Sequence, residues 1–144
     1  METDKSLVLY ANLELVNERL LFKGEVEGQE PVYIDYIPPL GDNLGYTSLE
    51  LLLLSISSCM GTAVLTFLRK MKKNISGITI KTKGIRHQEH PTGFKTIILD
   101  ITLQSKDTSL QELNKVIKMG EETYCPVFAM VKVNVEIIIT HTII

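Results

Sequence analysis

Between Leu51 and Leu68 the chain carries 18 consecutive uncharged residues. This run constrains the fold more than any other feature. Its apolar residues fall on nearly all sides of a helix, so protein must enclose the helix. Thr47 and Glu50 open it as a capping box, in which hydroxyl and carboxylate satisfy each other's backbone N–H groups. Arg69, Lys70, Lys72 and Lys73 suit the negative end of its dipole. Asn74 and Gly77 are read as its stop, which predicts a helix over 47–72. The run is also at the lower edge of a membrane span. Ser55, Ser57, Ser58, Thr62 and Thr66 make it too polar for that, and strand-like segments flank it. The reading is a buried core helix, with no membrane.

Around it the pattern alternates. Strands are predicted at 6–14, 20–26 and 31–37, joined by turns at Asn17-Glu18 and Glu27-Gly28-Gln29. The segment 38–46 is rich in breakers and reads as a loop. Residues 78–86 and 94–104 form a hairpin about His90-Pro91-Thr92-Gly93. Ser109 and Glu112 make a second capping box, opening a helix to about Tyr124. Pro126 suits the first turn of a short helix over 127–131, and 133–144 closes the chain as a strand. The order β-β-β-α-β-β-α-β indicates an α+β fold. The length of 144 residues fits a single domain, 1–144. One such chain has little sheet to cover the helix, and a dimer sharing it solves the burial problem.

Composition narrows function. The formal net charge of −2 gives no basic face for nucleic acid or anionic lipid. The absence of Trp argues further against a base-stacking platform. The start, Met1-Glu-Thr-Asp-Lys5, has no apolar signal core, so a cytoplasmic protein is expected. His87, His90 and His141 lack ligand spacing to either cysteine, and no metal site is expected. Neither a Gly-rich phosphate loop nor a Gly-x-Ser-x-Gly elbow is present.

The chain has two cysteines. Cys59 lies in the middle of the apolar helix, and Cys125 lies at a helix end before Pro126. Neither setting needs a thiol. Two thiols so placed suggest one site of thiol chemistry rather than a structural framework.

A helix opening Thr47-Ser-Leu-Glu-Leu-Leu-Leu with a central Cys59, followed by Tyr124-Cys125-Pro126-Val127, resembles the OsmC/Ohr family. These are the osmotically inducible and organic hydroperoxide resistance proteins. The ending Lys132-Val-Asn-Val-x-Ile-x-Ile-Thr-His141 is most similar to the YhfA-type branch. The resemblance implies antiparallel sheets wrapped around long central helices in an intertwined homodimer. It implies that Cys59 is the peroxidatic thiol and that Cys125 resolves it, with no cofactor and with an external dithiol as reductant. It also implies an Arg near the first thiol, for which Arg19 is the candidate, and a Glu that holds the Arg. Leu49 occupies the position of that Glu. Glu50 lies one residue on, about 100° around the helix, and is kept as a possible supporting residue beside its capping role. Without a carboxylate at 49, a mobile Arg19 is expected.

Two functions follow. The first is a thiol-dependent peroxidase acting on organic hydroperoxides or peroxide through Cys59, Cys125 and Arg19. The alternative is a non-catalytic binding protein with an apolar pocket at the dimer interface, favoured by the missing Glu.

Overall fold

Both predicted capping boxes form. In this computed structural model, which describes residues 6–144, the Thr47 N–H donates to Glu50 Oε1 at 2.9 Å and the Glu50 N–H donates to Thr47 Oγ1 at 3.2 Å. Ser109 and Glu112 repeat the exchange at 3.3 and 3.1 Å. The elements are β1 (Asn12–Leu15), β2 (Phe22–Glu25), β3 (Val32–Ile34), α1 (Ser48–Lys70), β4 (Ile75–Arg86), β5 (Phe94–Ser105), α2 (Leu110–Met119), a π-helical turn (Gly120–Tyr124), α3 (Pro126–Val131) and β6 (Glu136–Ile143). The α+β class read from the sequence holds. The chain divides into two compact units, one up to Leu51 and one from Leu52 onward.

In the N-terminal unit, β1, β2 and β3 form an antiparallel sheet in that order. Leu13 faces Gly24, and Lys23 faces Tyr33. All three strands are shorter than expected. Residues 6–11 lie outside the sheet. The first turn closes because Asn17 Oδ1 accepts the N–H groups of Arg19 and Leu21, a local bond that competes with strand pairing. The third strand stops at Ile34 because the next residue, Asp35, accepts the N–H groups of Tyr36, Asp42 and Leu44. These bonds fold 35–44 into a loop.

The end of α1 corrects the sequence reading. Lys72, with φ 60°, takes the left-handed conformation. The Lys73 N–H donates to Leu68 O and the Lys72 N–H to Arg69 O, the paired bonds of a Schellman motif. Asn74 and Gly77 do not stop the helix. Gly77 is part of β4, at an irregularity in its pairing with β5.

In the C-terminal unit, the sheet order is β4-β5-β6. The β4–β5 hairpin is antiparallel, with Ile80 facing Ile101. The β5–β6 pair is parallel, with Leu99 facing Ile139. This corrects the expectation of purely antiparallel sheets. The helical segments between β5 and β6 return the chain to the starting end of β5, which a parallel pair requires. Ile97, Leu99, Ile101 and Leu103 of β5 are fully buried, as are Ile56, Met60, Val64 and Leu68 of α1. The spacing of the α1 set defines one buried stripe, and Ser57 Oγ on α1 bonds Thr82 Oγ1 on β4. The helix is long and apolar enough to cross a membrane by length and composition, but this stripe makes it part of the domain core. Leu54, at 54% exposure, lies off the stripe.

Candidate functional site

Cys59 and Cys125 meet. Both are free thiols, and the two residues approach to 2.9 Å. Cys59 sits in mid-α1 and is half-buried. Cys125 is 1% exposed and is the N-cap of α3, where its Sγ accepts the Phe128 N–H at 3.4 Å.

The two sulfurs are chemically unequal. Burial pushes the Cys125 thiol up, the Cys59 side chain pushes it further, and the Phe128 N–H opposes only in part; the result is about 12. Cys125 therefore keeps its proton at neutral pH. It is a thiol poised beside a second, more accessible sulfur.

Local structure sets this contact. The Cys125 N–H donates to Gly120 O at 3.0 Å, which closes a five-residue step in place of the usual four. Gly120 is buried, and a Cβ there would come within 2.7 Å of Met60 Sδ and 3.4 Å of Ala63 Cβ. The absent side chain thus lets the π turn lie directly on α1, beside the residue that follows Cys59. One turn along, the Tyr124 and Phe67 rings pack at a tilt of 51° with centroids 4.6 Å apart. The sequence predicts one smooth helix to about Tyr124 and carries no sign of the roles of Gly120 and Met60. An i→i+5 turn leaves no composition signal.

Arg19 and Glu50 belong to the N-terminal unit. Glu50 is the cap partner of Thr47. Its carboxyl is held below the usual range by the Thr47 backbone N–H first and the Thr47 hydroxyl second. The carboxylate on Arg19 comes from Asp42, whose Oδ1 is 2.7 Å from Arg19 Nη1. Arg19 Nη2 also donates to the carbonyls of Pro39 and Gly41. The expected mobile arginine is therefore corrected: Arg19 has three fixed acceptors. Asp42 lies in the breaker-rich loop 38–46, and nothing local marks it as a partner of Arg19, 23 residues away.

Among the described residues, no cluster of three His, Cys, Asp or Glu side chains could hold a metal ion. The chemistry on offer is that of two adjacent, unequal thiols.

The comparisons with known proteins give the family and the fold. The sequence model of the family described as OsmC-like protein matches residues 41–140, and the chain belongs to that family. The matched family is the broad one and does not single out the YhfA-type branch. A hypothetical protein of Aquifex aeolicus has 29% identity and a TM-score of 0.85, covering 96% of this chain and 98% of that one. An OsmC-like protein of unknown function from Vibrio cholerae has 18% identity and a TM-score of 0.80, covering 92% and 97%. A structure from Legionella pneumophila described as an organic hydroperoxide resistance protein has 15% identity and a TM-score of 0.73, covering 96% and 99%. The last two show the fold alone. No curated protein sequence matches the chain.

Proposed function

We propose that this protein is a thiol-dependent peroxidase acting on organic hydroperoxides or peroxide. The observation that carries the reading is the 2.9 Å approach of a half-buried Cys59 to a buried, protonated Cys125. The accessible sulfur is the one suited to meet substrate. The Cys59 thiolate attacks the distal peroxide oxygen, the O–O bond breaks, and the leaving oxygen departs as an alcohol after taking a proton. Cys59 is then a sulfenic acid. The Cys125 thiol displaces its hydroxyl as water, forming the disulfide, and an external dithiol reduces that disulfide by exchange. No cofactor enters this cycle.

Arg19 supplies the cation that favours the thiolate and the leaving oxygen. The chain works as one functional domain within a homodimer in the cytoplasm. Exposed apolar side chains support the dimer in each unit: Leu13 and Tyr33 in the first, Leu54 and Met130 in the second. Sedimentation at nanomolar concentration should show dimer with no compact monomer.

The test is mass spectrometry after one equivalent of an organic hydroperoxide. The reading expects rapid loss of two hydrogens and a peptide linking Cys59 to Cys125. Two thiols left unchanged would sink it and favour a non-catalytic binding protein.

A further inference from the structure

We propose that the 35–44 loop is an arginine clamp in which Asp42, with the carbonyls of Pro39 and Gly41, fixes Arg19, and in which Asp35 is the buried positioning residue that shapes the clamp. The proposal rests on the reading above, in which Arg19 serves the thiol site.

The clamp has two layers. In the first, Asp42 Oδ1 takes Arg19 Nη1 at 2.7 Å, and the Gly41 carbonyl takes Nη2 at 3.3 Å beside the Pro39 carbonyl. A lone exposed ion pair is weak. Three acceptors arranged along a planar guanidinium fix its direction as well as its place. The Arg19 side chain stays 46% exposed, so the clamp leaves one side of the cation open.

In the second layer, Asp35 is 4% exposed. A buried carboxylate is costly unless its oxygens are bonded. Asp35 Oδ1 accepts the Tyr36 N–H at 2.7 Å, and Oδ2 accepts those of Asp42 and Leu44 at 3.2 and 3.0 Å. Burial pushes its carboxyl up, but the Leu44, Tyr36 and Asp42 amides outweigh burial and hold it below the usual range. Asp35 thus pins the backbone of the residue whose side chain takes Arg19. Gly41 is pinned in turn. A Cβ there would strike the Tyr36 carbonyl and the Asp35 carboxylate, so the loop closes this tightly only around glycine. Asn43, at φ 55°, completes the bend, with its N–H on Tyr36 O at 3.0 Å. None of these contacts involves Leu49 or Glu50. The loop supplies the carboxylate that α1 lacks at position 49.

The experiment measures the pH profile of Cys59 alkylation by iodoacetamide in the full chain carrying Cys125→Ser. Added to it are Arg19→Ala, Asp42→Ala, Asp35→Asn and the pair Arg19→Ala/Asp42→Ala. Arg19→Ala should move the thiol titration upward and slow alkylation at neutral pH by roughly threefold to tenfold. Asp42→Ala and Asp35→Asn should move it the same way by less, and Asp42→Ala should do nothing more once Arg19 is gone. If Asp42 only neutralised Arg19, its removal would move the titration downward, and that sign overturns the clamp. An unchanged profile in Asp42→Ala beside a shifted one in Arg19→Ala also overturns it. An unchanged Arg19→Ala profile removes the clamp together with the role of Arg19. Failure of the peroxidase reading shows separately, as absent peroxide consumption with the alkylation pattern intact. The Asp42 side chain is 33% exposed and, unlike that of Asp35, is not buried, so its variants decide the matter even if Asp35→Asn does not fold.

Discussion

Cys125 approaches Cys59 to 2.9 Å, and Cys125 is 1% exposed while Cys59 is half-buried. This inequality predicts an order of reaction. With iodoacetamide near neutral pH, the native protein should take one label, on Cys59, and a second only after unfolding. Cys59→Ser should reduce peroxide consumption to background. Cys125→Ser should allow one turnover and then stall as an over-oxidised or mixed-disulfide species. Equal losses from the two substitutions, read by stopped-flow consumption, would remove the division of labour.

The same inequality has an alkaline signature. The folded Cys125 thiol titrates near 12, raised from 9.0. Unfolding exposes a thiol that ionises sooner, so above pH 9 the unfolded state binds fewer protons and stability falls as pH rises. The contribution is fully present below the unfolded value and is lost progressively as pH climbs from about 9 toward 12. Urea midpoints measured between pH 8 and about 10.5 should fall more steeply for the parent than for Cys125→Ser. Parallel slopes would mean that the thiol is not held protonated by the fold.

What the sequence disclosed was local. Both capping boxes, the Asn17 turn and the β4–β5 hairpin follow from residues within a few positions of one another. The relationships it hid are distant or register-dependent. Asp42 meets Arg19 only because Asp35 and Gly41 fold the intervening loop, and a turn-rich stretch reads the same whether or not it grips a guanidinium. The parallel β5–β6 pair was in principle visible, since the helical segments between them form a crossover. Alternation alone gives a strand no direction. The placement of the two cysteines suggested one site and the resemblance suggested their roles, but their separation was not legible, because the spacing of two residues in different helices fixes no distance.

Lys72 offers a test of the corrected helix end. Its φ of 60° places a non-glycine residue in the left-handed region, at a cost of about 1–2 kcal/mol. Glycine relieves that strain but adds about 0.5–1 kcal/mol of unfolded-state entropy. Lys72 is exposed, so little packing is lost. Lys72→Gly should therefore stabilise by up to about 1 kcal/mol, seen as a higher urea midpoint with an unchanged slope. A lower midpoint would mean that the lysine side chain contributes more than the strain removes.

Gly120 links stability to the thiol pair. Its missing Cβ is the space in which Met60 Sδ sits, since a Cβ would come within 2.7 Å. Met60 is flexible but fully buried and follows Cys59 directly. Its sulfur can shift only by displacing the neighbouring core. Gly120→Ala should thus cost about 1–3 kcal/mol through overpacking, partly offset by the better helix propensity of alanine. The turn also fixes Cys125, whose N–H donates to Gly120 O. Pushing that turn off α1 moves Cys125 away from Cys59. Stability and thiol pairing should then fall together: a lower urea midpoint, and slower conversion of the Cys59 sulfenate to disulfide in single-turnover quench experiments. Met60→Ala in the same chain vacates the clashing sulfur and should restore the pairing rate more than the stability, because it leaves a cavity of its own. If Gly120→Ala lowers the midpoint but leaves disulfide formation at the parent rate, the π turn is packing alone and does not place the second thiol.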